Sequence, residues 1–173
     1  MIRCAITNGR GVSPAVLGRV DWVQVREKHL AARALTEMVR ELVGRGPRVI
    51  VNTRVDVALA AGAAGVHLPG SSIAPSLVRR WVGAGFLIGV SCHSIGDVER
   101  AAGEGADYVF LSPIFASPSK PGYGPALGVG LLEEACGRVG IPVLALGGVS
   151  EGNSGACVAA GAAGFASISA FQD

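Results

Sequence analysis

The chain has 173 residues, a formal net charge of +2, 50% hydrophobic residues and 16% charged ones. That size and composition predict one domain over residues 1–173 with a real core, and argue against disorder. With 15 basic and 13 acidic residues, no basic face is expected for nucleic acid. No apolar stretch approaches the roughly 20 residues of a membrane span, so no membrane partner is expected either.

The N-terminus, MIRCAIT, reads as a strand and not as a signal peptide. Cys4, Cys92, Cys136 and Cys157 have no CxxC spacing, which argues against a zinc site or a disulfide framework and makes a reducing cytoplasm the expected compartment. Short apolar runs rich in β-branched residues then recur along the chain: IRCAIT from Ile2, WVQVR from Trp22, RVIVN from Arg48, GVHL from Gly65, FLIGVSC from Phe86, YVFLSP from Tyr108, PVLALGG from Pro142 and GFASIS from Gly164. They are continuous and not alternating, as expected of parallel strands covered on both faces.

Between them lie segments of helical character. Residues 30–43 place Leu35, Met38, Val39, Leu42 and Val43 at spacings of three and four. Residues 54–61, 74–82, 95–103 and 129–139 behave similarly, and 11–19 is a stub. Ser94 and Asp97 can cap the helix beginning near 95, and Gly62, Gly105 and Gly161 fall where left-handed helix ends are expected. AAGAAG occurs at Ala60–Gly65 and again at Ala159–Gly164, each time joining a helix end to a strand start. Eight strand–helix units predict a compact (β/α)8 barrel with a C-terminal helix that is short or missing. An open doubly wound sheet is the alternative. The apolar flank expected beside the last strand suggests a homodimer.

Polar residues gather just after the strand ends. Alternation puts Gln24, Arg26 and Lys28 on one side of the second strand. Two cations and an amide at one rim suit an anion, with ion pairing to Glu27 or to a helix-borne acid as the other reading. Asn52 ends the third strand, where it either caps a helix or meets a ligand. Ser91 and His93 come at the end of the fifth strand, where His93 is either a proton carrier or a hydrogen-bonded structural histidine. Cys92 reads as packing and His67 as a core histidine. The longest loop, Ser112–Gly124, carries Ser117, Ser119 and Lys120 and has the length of a binding lid. Gly147 and Gly148, with Ile168 and Ser169, stand where such barrels hold phosphate.

Together, QVREK, VNTRVDVALAAGAAGVHL, GVSCHS, GADYVFLSPIFASPSK, IPVLALGGV and GFASIS, in this order, resemble the thiamine-phosphate synthase/TenI superfamily over almost the whole chain from Val23. The resemblance implies a (β/α)8 barrel. It also implies one of two activities: joining a pyrimidine methyl diphosphate to a thiazole phosphate with magnesium, or moving a proton between tautomers of a carboxylated thiazole phosphate. By the resemblance, Gln24, Arg26, Lys28, Asn52, Ser91 and Lys120 hold the pyrimidine diphosphate. Ser117 and Ser119 lie near the thiazole, and Gly147, Gly148, Ile168 and Ser169 cradle its phosphate.

The chain also departs from the pattern. Thr53 and Ser72 stand where the synthase has acids, and Pro113 stands where the tautomerase has a histidine. The resulting expectation is a thiamine-biosynthesis protein that binds a thiazole phosphate and tautomerises it through His93, with Lys120 as a further catalytic group and no metal or other cofactor. The alternatives are the synthase itself, which would bring magnesium with it, and a non-catalytic phosphate-ligand sensor.

Overall fold

A computed structural model describes residues 1–9, 11–116 and 125–171. Strands β1 (Ile2–Ile6), β2 (Trp22–Val25), β3 (Arg48–Asn52), β4 (Gly65–Leu68), β5 (Leu87–Cys92), β6 (Tyr108–Leu111), β7 (Val143–Ala145) and β8 (Gly164–Ser167) form a closed barrel in sequence order. Every neighbouring pair is parallel, and β8 closes onto β1 with Cys4 opposite Ala166. The open doubly wound sheet is thereby excluded, and each apolar run of the sequence contains one strand.

The intervening helices are α1 (Pro14–Leu17), α2 (Ala32–Leu42), α3 (Val55–Ala61), α4 (Pro75–Arg79), α5 (Ile95–Gly103), α6 (Gly128–Arg138) and α7 (Ser154–Ala159). Helix α4 is shorter than the pattern over 74–82 predicts, because the chain turns at Arg80, Trp81 and Val82 toward β5. Gly62, Gly105 and Gly161 adopt φ of 71°, 87° and 93°, the left-handed ends expected of them.

Strand parity builds two apolar layers. Val23, Val25, Val49, Val51, Val66, Ile88 and Val109 face outward and pack with Leu35, Val39, Val57, Val98 and Leu132 of the helices. Cys4, Trp22, Ile50, Tyr108, Phe110, Leu144 and Ala166 fill the barrel interior. Trp22 meets Tyr108 edge to face at 4.8 Å. Gly89 is required beside that ring, since a Cβ there would lie 2.1 Å from Tyr108 Cζ.

Along β2 the inward positions change from Trp22 to Gln24. Along β3 they change from Ile50 to Asn52, and the polar inward ends of β4 and β5 are His67 and Ser91. An apolar plug therefore closes the lower barrel and a polar layer lies at its C-terminal mouth. After β8 the chain folds back, and Phe171, 6% exposed, stacks on Phe165 at 5.5 Å. The apolar flank expected beside the last strand is thus covered by the chain's own Phe171. Among the described residues no helix is long and apolar enough to cross a membrane.

Candidate anion-binding site at the barrel mouth

The C-terminal mouth opens into a cavity of about 660 Å³. Gln24, Arg26, Lys28, Asn52, Ser91, His93, Gly147, Gly148, Ile168 and Ser169 all line it. The fold therefore gathers these residues from five strand ends at one place. Ser117, Ser119 and Lys120 lie outside the described residues.

The rim of β2 is locked from beneath. Thr7 Oγ1 accepts the Arg26 N–H at 2.8 Å, and the Thr7 N–H donates to the Gln24 carbonyl at 3.0 Å. Glu27 does not pair with Arg26 or Lys28. Its buried carboxylate takes the Gly9 N–H at 2.8 and 3.0 Å, pinning the turn after β1. Among the described residues no acid lies within 4.0 Å of Arg26 or Lys28. Two cations thus face the cavity with their charge uncompensated by an ion pair.

Below them, Gln24 Nε2 donates to Asn52 Oδ1 at 3.0 Å, and Asn52 Nδ2 donates to Thr53 Oγ1 at 2.9 Å. Gln24 is 3% exposed, and among the described residues its Oε1 has no hydrogen-bond partner. A buried acceptor left this way costs about 1–3 kcal/mol. The acceptor is sealed from solvent within a residue that lines the polar cavity.

His67 both packs and serves the site. Its Nδ1 meets the Tyr108 hydroxyl at 3.1 Å and its Nε2 meets Ser91 Oγ at 2.9 Å, while the ring lies 4.2 Å from Phe110. Burial pushes its pKa down to about 3, so the ring is neutral, with one nitrogen donating and the other accepting. His93 directs Nδ1 at the Ser112 carbonyl at 2.8 Å. A carbonyl only accepts, so Nδ1 carries the proton of the neutral ring and Nε2 is its basic atom. Cys92 is fully buried, and desolvation raises its thiol to about 12, in keeping with a packing role.

The double glycine has a packing reason of its own. Gly147 and Gly148 have φ of 87° and 65°. Cβ atoms there would lie 2.7 Å from Pro113 Cα and from the Ala116 carbonyl oxygen. Their small size admits the segment after β6, which pairs through the Ile114 and Phe115 N–H groups to the Leu146 and Gly147 carbonyls.

Asp97 and Arg100 of α5 also line the cavity, although helical periodicity marks Arg100 only as a surface residue. Asp97 Oδ1 accepts from Arg100 Nη2 at 2.6 Å and its Oδ2 from the His93 N–H at 3.0 Å. Burial works to raise this carboxyl. The hydrogen bonds from His93, Arg100 and Ser94 outweigh burial and hold it below the usual carboxylate range.

Magnesium, which the resemblance implies, prefers hard oxygens and usually one or two carboxylates. Thr53 supplies a hydroxyl on the cavity wall, and Ser72 lies outside the cavity, on a small hollow between the loop after β4 and α5. Asp56 is held by Arg54, whose hydrogen bonds bring it down to about 2. Glu27 and Asp97 have their oxygens engaged as described. Among the described residues no three His, Cys, Asp or Glu groups come together around a metal position, and residues 117–124 contain no acid. The residues present do not fit a carboxylate-bound magnesium ion.

These features define a (β/α)8 barrel whose cationic, amide-lined mouth is suited to a phosphorylated small molecule. The thiamine monophosphate synthase family model matches residues 4–171, and the chain belongs to that family. It is 46% identical over 160 residues to the thiamine-phosphate synthase of Methanoculleus marisnigri, covering 90% of this chain and 76% of that protein. It is 40% identical over 163 residues to the thiamine-phosphate synthase of Roseiflexus castenholzii, covering 92% and 72%. Among solved structures, the thiamine phosphate pyrophosphorylase of Pyrococcus furiosus superposes with a TM-score of 0.84 at 28% identity, covering 97% of this chain and 85% of that one. These relatives bear the names of enzymes that make thiamine phosphate. They favour the synthase over the tautomerase and the sensor, so the ordering expected from the sequence is reversed.

Proposed function

We propose that the chain is a thiamine-phosphate synthase, joining a pyrimidine methyl diphosphate to a thiazole phosphate. The observation that carries this reading is that Arg26 and Lys28, with no acid within 4.0 Å among the described residues, line the same cavity as the Gln24–Asn52 amide pair. An aminopyrimidine offers an N–H to the amide pair, and its diphosphate reaches the two cations.

In the reaction, the bond between the pyrimidine methylene carbon and the diphosphate oxygen breaks, and the diphosphate leaves with the electron pair. The lone pair of the thiazole ring nitrogen forms the new C–N bond. The chain's own part is orientation and charge. Gln24, fixed by Asn52, orients the pyrimidine. Arg26 and Lys28, with Lys120 from the loop after β6, stabilise the negative charge that develops on the departing group. Ser91, held by His67, and Ser117 and Ser119 supply hydroxyls. Gly147, Gly148, Ile168 and Ser169 form the wall against which the thiazole phosphate rests. His93, held through Nδ1, lies at the same mouth and positions the Ser112 segment.

The test is incubation of the purified protein with both substrates and saturating magnesium, with chromatographic detection of thiamine phosphate. Product from the wild type and its loss in Lys28→Met are expected. Absence of product from the wild type overturns the proposal.

A further inference from the structure

The geometry points to a metal-free diphosphate site in which Arg100 supplies charge that a carboxylate-bound cation supplies elsewhere in the family. This inference rests on the synthase reading and deepens it. It starts from the mismatch between the donor set and magnesium.

Arg100 stands at the place of that mismatch. The large cavity and the small hollow beside it share Pro69, Gly70, Asp97 and Arg100, and Ser72 lies on the hollow. The arginine therefore borders the loop after β4 in which the resemblance sets the second acid. A guanidinium carries five N–H donors in a planar fork suited to phosphate oxygens. One of Arg100's is committed to Asp97 Oδ1, which steadies the side chain on α5 and leaves others for an anion. Asp97 itself is occupied on both oxygens.

Among the described residues, three cations (Arg26, Lys28 and Arg100) and one carboxylate (Asp97) line the cavity. That surplus of two positive charges draws a diphosphate to the cavity. An added divalent ion would meet Arg26, Lys28 and Arg100 as like charges.

The step is the one already written, with the electron pair passing to the diphosphate oxygen. Here its charge is met by guanidinium and ammonium groups alone, and no oxidant or co-reactant enters.

The experiment is a calorimetric titration with inorganic diphosphate in buffer containing EDTA, using the wild type, Arg100→Met and Arg100→Lys, with circular dichroism confirming that each variant is folded. Turnover of both substrates is measured in parallel with EDTA and with magnesium. Binding in EDTA, weakened about tenfold in Arg100→Met and largely recovered in Arg100→Lys, is expected. So is product formation in EDTA. Diphosphate binding that requires magnesium, or that is unchanged in Arg100→Met, overturns the inference. Product formed only with magnesium also overturns it while leaving the synthase reading intact. No product in either buffer from a protein that binds diphosphate in EDTA sinks the synthase reading and supports the metal-free site.

Discussion

The His67 Nε2 atom lies 2.9 Å from Ser91 Oγ across the β4–β5 seam of the barrel, while its Nδ1 is held by the Tyr108 hydroxyl at 3.1 Å. A buried neutral imidazole thus links the apolar plug of the barrel to a hydroxyl on the cavity wall. Replacing His67 with Leu frees Ser91 to rotate and leaves the Tyr108 hydroxyl buried without its partner. Turnover measured as kcat/KM should fall about tenfold in His67→Leu and in Ser91→Ala. The double variant should fall by less than the product of the two, because both act on one interaction. Fully multiplicative losses would show that the two residues act separately.

The same ring makes stability depend on pH in a defined direction. Its ordinary value is 6.5 and burial takes it to about 3 in the folded chain. Above pH 6.5 both states carry it neutral and its contribution is complete. As pH falls from 6.5 toward 3 the unfolded chain binds a proton that the folded chain refuses, and stability drops at about 1.4 kcal/mol per pH unit. Urea unfolding at pH 7, 6, 5 and 4 should show this slope in the wild type and a shallower one in His67→Gln.

Gln24 and Asn52 share one hydrogen bond at 3.0 Å, so each substitution tests the other's position. Gln24→Leu removes the orphaned acceptor and should leave stability within about 1 kcal/mol of wild type. It should weaken the pyrimidine diphosphate about tenfold or more while sparing the thiazole phosphate. Calorimetric titration of each substrate separates these outcomes, and equal losses for both would place Gln24 outside the pyrimidine pocket.

Thr53 is strained. It holds φ of 67°, a left-handed conformation that costs a residue other than glycine about 1–2 kcal/mol and is rarer still for β-branched side chains. Asn tolerates this region, and its side chain can accept from Asn52 Nδ2 as Thr53 Oγ1 does. Thr53→Asn should therefore raise the melting temperature by about 2–4 °C. A fall would show that the Thr53 hydroxyl outweighs its backbone strain.

The barrel was legible because buried parallel strands read as continuous apolar runs, and RVIVN and YVFLSP each contain one. Of helix α7 only the end was legible, at Gly161; its body, Ser154–Ala159, is SGACVA, too small and glycine-rich to show an apolar stripe. Gln24 was legible by strand parity; the same alternation was extended to Arg26 and Lys28, but β2 ends at Val25 and both reach the cavity from the segment after it. Arg100 was not legible, because its helix position reads as solvent-facing until the loop after β4 is placed beside it. The glycine pair was read for anion approach, whereas its tightest contacts are with Pro113 and Ala116, a tertiary neighbour that sequence spacing does not reveal. His67 was read as a core residue; its bond to Ser91 joins two strands 24 positions apart in the chain.

The most direct measurement is the affinity of the wild-type chain for pyrimidine methyl diphosphate compared with the corresponding alcohol that lacks the diphosphate. Charge-assisted hydrogen bonds contribute about 1.5–3 kcal/mol each, so the diphosphate should bind at least about 100-fold more tightly, with the advantage shrinking as salt is raised. Equal affinity for the two compounds would contradict a mouth built to hold a phosphoryl group.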